Sequence, residues 1–570
     1  MSSQNGDNLV TINVDGRELL APNGANLIDA LATHNIEIPH YCYHPKLSIA
    51  GNCRMCMVEM GMPMKDRGTG QPIMDEATGK QKIGWMPKPA IACSSKVMPG
   101  LHLRLDSEMT RSCREGVMEF LLVNHPLDCP ICDQAGECAL QEFATDYGKG
   151  YSRFVDEKNA KPKKVEIGPR VTLDNERCIL CSRCIRFCDE IDQDPVLGIV
   201  ERGSYSMIAT HPGRSLDSNY SLNTVDICPV GALTSSDFRF KMRAWFLKPT
   251  PSICTESSTG VNTEVWSREG VIYRITPRRN DEVNDTWMPD SGRMLYKQVE
   301  AETRLKSFQV DRNNVLIGDA ITRIRELVSV GPVALVVNGR ASVEEHFQLK
   351  ALARSLNADV FGVHHGQAGD GRLISDDATP NLRGALVTGL LDKLPQVDLD
   401  GLKRKLELGE IQTVIAVNED LTEVGLKPEL LRKVNVVYAG THSNGTSKVA
   451  RVSLPLLTVF EKSGSFINQQ FRLQRFQQAV PGPAGVLPDV TLFGRLASEL
   501  TGEEGVSGTV SAVWERLAAE VDCLEGLNFA RIPATGKALE VGSFAALPFC
   551  ETGSWHYTPG GHGEAATAQA

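Results

Sequence analysis

Hydrophobic and polar positions alternate at the start of the chain, and this pattern predicts a β-hairpin. Residues 8–21 read "NLVTINVDGRELLA", two alternating runs joined by Asp15-Gly16. Alternation is typical of strands with one buried face, and Asp-Gly suits a tight turn because both positions tolerate positive φ. The following stretch, "NLIDALATHNI", has the apolar spacing of a helix. The chain is therefore expected to begin with a hairpin and a short helix.

From about Ser307 the pattern changes to alternating strands and helices. The stretches "VALVVN", "TVIAVNED" and "NVVYAG" are predicted to be buried strands. The stretch "SVEEHFQLKALARSLN" is predicted to be a helix with Ser342 as its N-cap and with Val343, Phe347 and Leu352 on one face. This alternation favours a doubly wound parallel sheet. Neither G-x-G-x-x-G nor G-x-x-x-x-G-K-[ST] occurs, so the sequence indicates no nucleotide site here.

Length, charge and hydropathy limit the classes of function. A chain of 570 residues is expected to form several domains. The net charge is -10, from 60 basic and 70 acidic residues mixed along the chain, which argues against nucleic acid as a partner. The apolar runs are far shorter than the roughly 20 residues that span a bilayer. The N-terminus resembles neither a signal nor a transit peptide, so we expect a cytoplasmic protein without a membrane span.

The cysteines change this picture, because fourteen of the sixteen precede Thr255. In a reducing compartment such clusters are typical of metal ligands. The stretch "YCYHPKLSIAGNCRMCMVEM" contains Cys42, Cys53 and Cys56. The Cys-x2-Cys pair alone fits zinc as well as iron-sulfur. The ten-residue lead from Cys42 and the preceding hairpin and helix, the order of a ferredoxin-like β-grasp, favour a [2Fe-2S] site with Cys93 as fourth ligand.

A later stretch, "CILCSRCIRFC", has the spacing of a bacterial [4Fe-4S] ferredoxin in Cys178, Cys181 and Cys184. Two residues compete for the fourth place. Cys188 completes the local run but is followed by Asp189, whereas Cys228 is followed directly by proline in "DICPVGAL". Proline after a remote fourth ligand is typical of these sites, so Cys228 is the predicted ligand and Cys188 a small buried residue.

Between these stretches, "HPLDCPICDQAGEC" places His125 close to Cys129, Cys132 and Cys138. Such a group suits a metal site, a reactive Cys–His pair or simple packing. The flanking iron-sulfur patterns favour a third cluster.

Five stretches together resemble one family, the G subunits of the proton-pumping NADH:quinone oxidoreductase, which correspond to the 75 kDa iron-sulfur subunit of respiratory complex I. They are "CRMCMVEM", "HPLDCPICDQAGECALQ", "RCILCSRCIRFCDEI", "DICPVGAL" and "NDTWMPDSGR". The similarity runs from about Leu9 to Lys297 and is weaker beyond. It implies one 2Fe-2S cluster on Cys42, Cys53, Cys56 and Cys93, and two 4Fe-4S clusters, one on His125, Cys129, Cys132 and Cys138 and one on Cys178, Cys181, Cys184 and Cys228. Ligation by His125 rests mainly on the resemblance.

The resemblance also implies function and partners. The chain is expected to relay electrons from a flavin- and NADH-binding subunit to quinone-side iron-sulfur subunits, without a complete active site of its own. It is expected to lie on the cytoplasmic face of the inner membrane through the complex. The alternatives are an iron-sulfur subunit of an NAD-linked hydrogenase or formate dehydrogenase, and a zinc-bearing scaffold. The α/β half offers no further metal ligand set for the hydrogenase or dehydrogenase, so we expect it to dock partner subunits.

Some members of the family carry an extra 4Fe-4S site with the pattern Cys-x2-Cys-x3-Cys-x27-Cys. This chain keeps only Cys254 and has Ser257, Val261 and Pro289 at the other positions. We therefore expect that cluster to be absent and Cys254 to be structural.

The expected fold is multidomain, with a ferredoxin-like β-grasp and 4Fe-4S ferredoxin-like modules (α+β) before an α/β molybdopterin-oxidoreductase-like domain. The predicted boundaries are 1–103 (2Fe-2S), 104–165 (4Fe-4S held by one histidine and three cysteines), 166–247 (4Fe-4S ferredoxin-like), 248–306 (small subdomain without its cluster), 307–548 (α/β scaffold) and 549–570 (disordered tail).

Overall fold

The computed structural model describes residues 8–76, 78–395, 399–501, 508–550 and 555–559. Described residues up to 245, with 557–559, form one compact unit, and those of 246–556 form a second. Most of the predicted disordered tail, residues 551–554 and 560–570, lies outside the described residues. Within the described part of the tail, the Tyr557 hydroxyl donates a hydrogen bond to Glu190 Oε2 at 3.1 Å.

The first module of the first unit contains the predicted hairpin. Its sheet has the order β2-β1-β6-β3-β4, with β5 also paired to β3 and with β1 and β6 parallel. The elements are β1 (Leu9–Val14), β2 (Arg17–Pro22), α1 (Leu27–Ala32), β3 (Met57–Pro63), β4 (Ile83–Trp85), β5 (Ala90–Ile91) and β6 (His102–Arg104). Asp15 and Gly16 have φ of 49° and 86°, so the hairpin turn is confirmed. The helix ends earlier than predicted, and Asn35 beyond it has a left-handed φ of 58° that a helix cannot continue through.

Two helices follow, α2 (Glu108–Val123) and α3 (Ala139–Tyr147). Ser107 caps α2, because its hydroxyl accepts from the Thr110 N–H while the Thr110 hydroxyl accepts from the Ser107 N–H. This reciprocal pair satisfies two N–H groups that a helix start leaves free. The loop between α2 and α3 carries the cysteines of the second predicted site.

The rest of the first unit consists of short elements around cysteine-bearing loops. Strands pair in the orders β11-β8-β7 and β10-β9. The elements are β7 (Val165–Glu166), β8 (Val171–Leu173), α4 (Arg183–Arg186), β9 (Leu197–Val200), β10 (Met207–Thr210), α5 (Asn223–Asp226) and β11 (Leu233–Ser235). A single π-turn, Phe187–Ile191, continues α4. With so little regular structure, these loops depend on side-chain contacts to hold their shape.

The second unit opens with an antiparallel sheet and a short helix. They are β12 (Lys248–Ile253), β13 (Asn262–Arg268), β14 (Val271–Pro277) and α6 (Asp290–Arg293). Trp287, just before α6, is fully buried.

A seven-stranded sheet of order β16-β15-β21-β20-β19-β17-β18 forms the centre of the second unit. Its strands are β15 (Phe308–Val310), β16 (Asn313–Val315), β17 (Val333–Asn338), β18 (Asp359–Val363), β19 (Thr413–Val417), β20 (Asn435–Gly440) and β21 (Val452–Pro455). The helices between them are α7 (Ile317–Val328), α8 (Val343–Ser355), α9 (Leu382–Val387), α10 (Asp400–Glu407) and α11 (Pro428–Leu431). The predicted strands 333–338, 413–417 and 435–440 are confirmed. The predicted parallel pairing is found from β21 to β18, and the hairpin β15–β16 adds antiparallel to β21 at one edge, which the sequence did not predict.

Helix α8 has the predicted N-cap, since the Ser342 hydroxyl accepts from the Glu345 N–H. The prediction of one apolar face is incomplete, because Glu344, Glu345 and His346 are also buried. The helix packs against α12 (Asp489–Thr501), α13 (Val510–Glu520) and β22 (Gly464–Ile467), so it has little surface in water. Its carboxylates find partners inside: Glu344 accepts from the Trp514 indole at 2.7 Å.

A three-stranded sheet that the sequence did not predict completes this unit. It pairs β22 with β23 (Arg472–Phe476), and β23 with β24 (Lys537–Ala538).

In the described ranges, no helix is both long and apolar enough to cross a bilayer.

Candidate metal centres

The first site, Cys42, Cys53, Cys56 and Cys93, is assembled from two parts of the first module. Three thiols come from the loop between α1 and β3, and Cys93 comes from a single 3₁₀ turn after β5. The Cys42 thiol is hydrogen-bonded to those of Cys53 and Cys93, and the Cys56 thiol to that of Cys93. These bonds lower the pKa of Cys42 strongly and that of Cys56 to about 7, while they raise the pKa of Cys53 and Cys93. Four adjoining thiols, two of which (Cys42 and Cys56) are held in a state that favours the thiolate, fit a cluster held by thiolates.

The backbone of this loop turns sharply beside the thiols. Arg54, between Cys53 and Cys56, has a left-handed φ of 61°, and Gly51 has a φ of 62°. A Cβ on Gly51 would lie 3.1 Å from Ile91 Cδ1, so this position needs glycine for conformation and space. Non-glycine residues with a left-handed φ, such as Arg54, are concentrated at functional sites.

The third site, Cys178, Cys181, Cys184 and Cys228, lines a single cavity of about 20 Å³. Apolar side chains from β8, β10 and β11 complete its walls. Burial raises the pKa of Cys178 to about 11 and that of Cys228 to about 12. Cys188 is fully buried but is not among the residues that line this cavity. The structure thus brings Cys228, rather than Cys188, together with the other three thiols.

The loop of the third site is wound in the same manner as that of the first. Leu180 and Ser182 have φ of 53° and 63°. The Leu180 N–H points to Cys178 Sγ at 3.4 Å. Two left-handed residues among three cysteines let the loop curl around a small volume, which is the geometry that a cluster requires.

The second site, His125, Cys129, Cys132 and Cys138, lies between α2 and α3. Cys132 and Cys138 are buried, whereas Cys129 is exposed. Burial, helped by the cations Lys158 and Arg177, lowers the pKa of His125 to about 4. Its imidazole makes no hydrogen bond with any described residue and is neutral at pH 7. A neutral, unpaired, half-buried imidazole fits the role of metal ligand.

Gly231 sets the position of Cys132, and sequence reasoning missed it. A Cβ on Gly231 would lie 2.2 Å from Cys132 Sγ, so the sulfur packs directly on the backbone of the segment that carries Cys228. The only signal in the sequence was its place three residues after Cys228. This contact joins the second and third sites.

Arg243 supports the same loop. Its Nη1 donates to the Cys132 carbonyl at 2.6 Å, and its Nη2 donates to the Pro130 carbonyl. The Asp133 carboxylate accepts from the Phe240 N–H at 3.0 Å. These contacts fix the Cys129–Cys132 segment although it has little regular structure.

The four positions that correspond to the extra 4Fe-4S site of some family members contain one thiol, that of Cys254. Cys254 is buried, and burial raises its pKa to about 12. Ser257 and Val261 are buried, and Pro289 precedes α6. These residues do not fit a site for four thiolates. Across all the residues that the structure describes, the three cysteine sites included, no three His, Cys, Asp or Glu side chains are grouped to hold a single metal ion.

Described residues of the second unit line two sizeable cavities, of about 290 and 390 Å³. The smaller lies where Arg340 and Asn418 follow β17 and β19, the edge of a parallel sheet at which ligands usually bind. Lys462 lines both, and it is paired to Glu345 at 2.7 Å and Asp489 at 2.6 Å. No cysteine lines either cavity, so the described walls do not fit a thiolate-bound metal.

Comparison with known proteins gives the order of the domain types along the chain. Five family models match successive stretches: "2Fe-2S iron-sulfur cluster binding domain" at 7–78, "NADH-ubiquinone oxidoreductase-G iron-sulfur binding region" at 114–153, "NADH-quinone oxidoreductase subunit 3, ferredoxin-like domain" at 168–234, "NADH-ubiquinone oxidoreductase NDSU1/NuoG-like, 4Fe-4S domain" at 247–297 and "Molybdopterin oxidoreductase" at 379–499. Cys93 lies outside the first of these ranges.

Among similar proteins, the NADH-quinone oxidoreductase G subunit of Rickettsia felis is 38% identical over 363 residues, 62% of this chain and 50% of the relative. The mitochondrial NADH dehydrogenase [ubiquinone] iron-sulfur protein 1 of Solanum tuberosum is 40% identical over 292 residues, 51% of this chain and 36% of the relative. The chain thus spans about half the length of the first of these relatives. A solved NAD+-reducing [NiFe]-hydrogenase is 27% identical and covers 41% of this chain and 91% of its own, but its TM-score of 0.33 supports no argument.

The fold and the matches define an iron-sulfur protein in which 2Fe-2S and 4Fe-4S ferredoxin-type domains precede a molybdopterin-oxidoreductase-type domain. The predicted fold class is confirmed. Within this class, the chain is a homologue of the NADH-quinone oxidoreductase G subunits over 62% of its length, and the predicted resemblance is confirmed.

Proposed function

We propose that this chain is the iron-sulfur electron-relay subunit of a respiratory NADH:quinone oxidoreductase, passing electrons from a flavin subunit towards quinone. One observation carries the proposal. Residues of all three sites pack in one apolar cluster, in which Tyr41 and Cys42 meet Cys138 and Cys181, with Cys228 at its margin. Sites in a continuous, water-poor interior are what a series of electron carriers needs.

The proposed cofactors are one 2Fe-2S cluster at the first site and one 4Fe-4S cluster at each of the second and third. Iron-sulfur clusters, when bound, accept and release single electrons. The first site is supported by its mutually hydrogen-bonded thiols, and the third by its common cavity. The second is supported by the neutral, unpaired imidazole of His125. We propose no cluster at Cys254.

The protein side chains supply burial, position and charge. Tyr41, fully buried, donates from its hydroxyl to Met118 Sδ at 3.2 Å and fills the space beside the first and second sites. Burial, with nearby Cys138 and Cys53, raises its pKa, so the phenol stays neutral. Its packing keeps water from the cluster of apolar residues.

The proposed partners are the flavin- and NADH-binding subunit and the quinone-side iron-sulfur subunits of the complex. Through them the chain would sit on the cytoplasmic face of the inner membrane. The division into six segments predicted from the sequence is part of the proposal, with 307–548 as the scaffold that docks neighbouring subunits. Since hydride oxidation requires a two-electron cofactor such as flavin, we propose that the chain has no complete active site of its own.

Iron and sulfide analysis of the anaerobically purified chain tests the cofactor content. Two plus four plus four irons, about ten, with equal sulfide are expected from these cluster types. About fourteen irons would show a further cluster at Cys254. A colourless zinc protein, recognised by its visible spectrum, would refute the relay.

Electron transfer tests the function. The isolated chain with its clusters should accept electrons from dithionite, but it should neither oxidise NADH nor evolve hydrogen nor oxidise formate. Reduction by NADH should appear when the flavin subunit is added. Steady NADH:ferricyanide activity of the flavin-free chain would contradict the proposal and favour a substrate-transforming enzyme.

A further inference from the structure

Arg186, on α4 of the third site, reaches the loop of the first site. Its Nη2 donates to the Cys42 carbonyl at 2.5 Å, and its Nη1 donates to the Ser48 carbonyl. The same Nη2 lies 3.5 Å from the Cys181 carbonyl. One guanidinium therefore bridges a ligand residue of the first site and a ligand residue of the third.

Arg183, one turn earlier on α4, makes a second bridge. Its Nη2 donates to the Tyr43 carbonyl, and its Nη1 donates to the Ile227 carbonyl at 3.0 Å, next to Cys228. Its side chain also lines the cavity of the third site. Its Nε is buried and has no hydrogen-bond partner among the described residues. Arg183 thus brings a fixed positive charge and a free N–H donor to the third site.

Other contacts hold the same two loops together but add no positive charge. The Ser48 N–H donates to Glu190 Oε2 at 2.8 Å, and its hydroxyl donates to Glu190 Oε1. Asn52 Nδ2 donates to the Leu180 carbonyl at 3.3 Å. Glu190 is a negative charge that partly offsets the two guanidiniums. The bridge is nevertheless cationic overall, with two arginines against one carboxylate.

We propose that Arg183 and Arg186 are positioning residues that fix the first and third sites relative to each other and raise the reduction potentials of both. Adding an electron to a site of four thiolates is opposed by their negative charge. A nearby fixed cation stabilises the reduced state, and in a poorly hydrated interior this effect is stronger than in water. A buried N–H donor beside the site, such as Arg183 Nε, would act in the same direction by hydrogen-bonding a thiolate sulfur. This inference rests on the proposed cluster content of the two sites.

The test is a redox titration followed by low-temperature electron paramagnetic resonance on the full chain. Arg183→Gln and Arg186→Gln remove the charge, whereas Arg183→Lys and Arg186→Lys keep it. Arg202→Gln, at an exposed position of the same unit, is the matched control. Each Gln variant should lower the equilibrium constant for reduction of at least one of the two clusters about tenfold, or about 59 mV for a one-electron couple. The Lys variants should recover most of that loss, and the control should show none.

Each outcome decides a separate question. Wild-type protein without these two clusters would refute the proposed function, before any variant is compared. Intact clusters with unchanged potentials in both Gln variants would refute the inference alone. If the Gln variants lose iron, the Lys variants decide the question. Lys variants with iron content and potentials near those of the wild type would support a role for the positive charge. Loss of iron from the Lys variants as well would refute that role.

Discussion

Gly231→Ala should remove the cluster of the second site and spare that of the first. The new Cβ would lie 2.2 Å from Cys132 Sγ, whereas ordinary contacts begin near 3.4 Å. The sulfur would have to move by about 1 Å, and metal-site geometry must usually be held within roughly 0.5 Å. Overpacking of this kind costs about 1–3 kcal/mol in stability. The site should therefore lose its iron while the chain still folds.

Iron analysis and electron paramagnetic resonance measure this effect. Iron should fall from about ten per chain to about six, and the 2Fe-2S signal of the first site should persist as an internal test of folding. The matched control is Gly116→Ala in α2, where a Cβ would meet nothing within 4 Å and should slightly stabilise the helix. Full iron content with an unchanged spectrum in Gly231→Ala would refute the argument that Cys132 must occupy this place to bind.

Three further changes test other parts of the structure. Cys228→Ala should lose a 4Fe-4S signal while Cys188→Ala keeps all clusters, as followed by iron content; the opposite result would make Cys188 the ligand. His125→Cys should keep its cluster but lower its potential, because a thiolate adds negative charge; a redox titration without any change would show that His125 is not a ligand. Lys462→Met should cost about 3–5 kcal/mol in denaturant unfolding, because it leaves the buried carboxylates of Glu345 and Asp489 unpaired; a loss no greater than that of exposed Lys403→Met would contradict this.

The sequence predicted elements whose signal is local. The Asp15-Gly16 turn and the Ser342 cap depend on a few neighbouring residues, and both were found. Cysteine spacing is also local, and the three closely spaced cysteines Cys178, Cys181 and Cys184 line one cavity in the structure. The antiparallel pairing of β15 with β21 joins residues far apart in the chain, and no periodicity reports such a pairing. The burial of α8 on most sides was missed for a similar reason. The elements that cover it, β22, α12 and α13, lie more than a hundred residues later in the chain.

The contacts that fix the metal centres are of this long-range kind. Arg183 and Arg186 appear in the sequence only as basic residues between cysteines, three positions apart on a short helix. That spacing puts them on one helix face but does not say what they meet. Their acceptors lie about 140 residues earlier in the chain. These acceptors are backbone carbonyl groups, which every residue has, so the sequence does not single them out. The proposed ligands can therefore be inferred from sequence because their chemistry lies in their side chains, whereas the charges proposed to tune them can be assigned only once the backbone is in place.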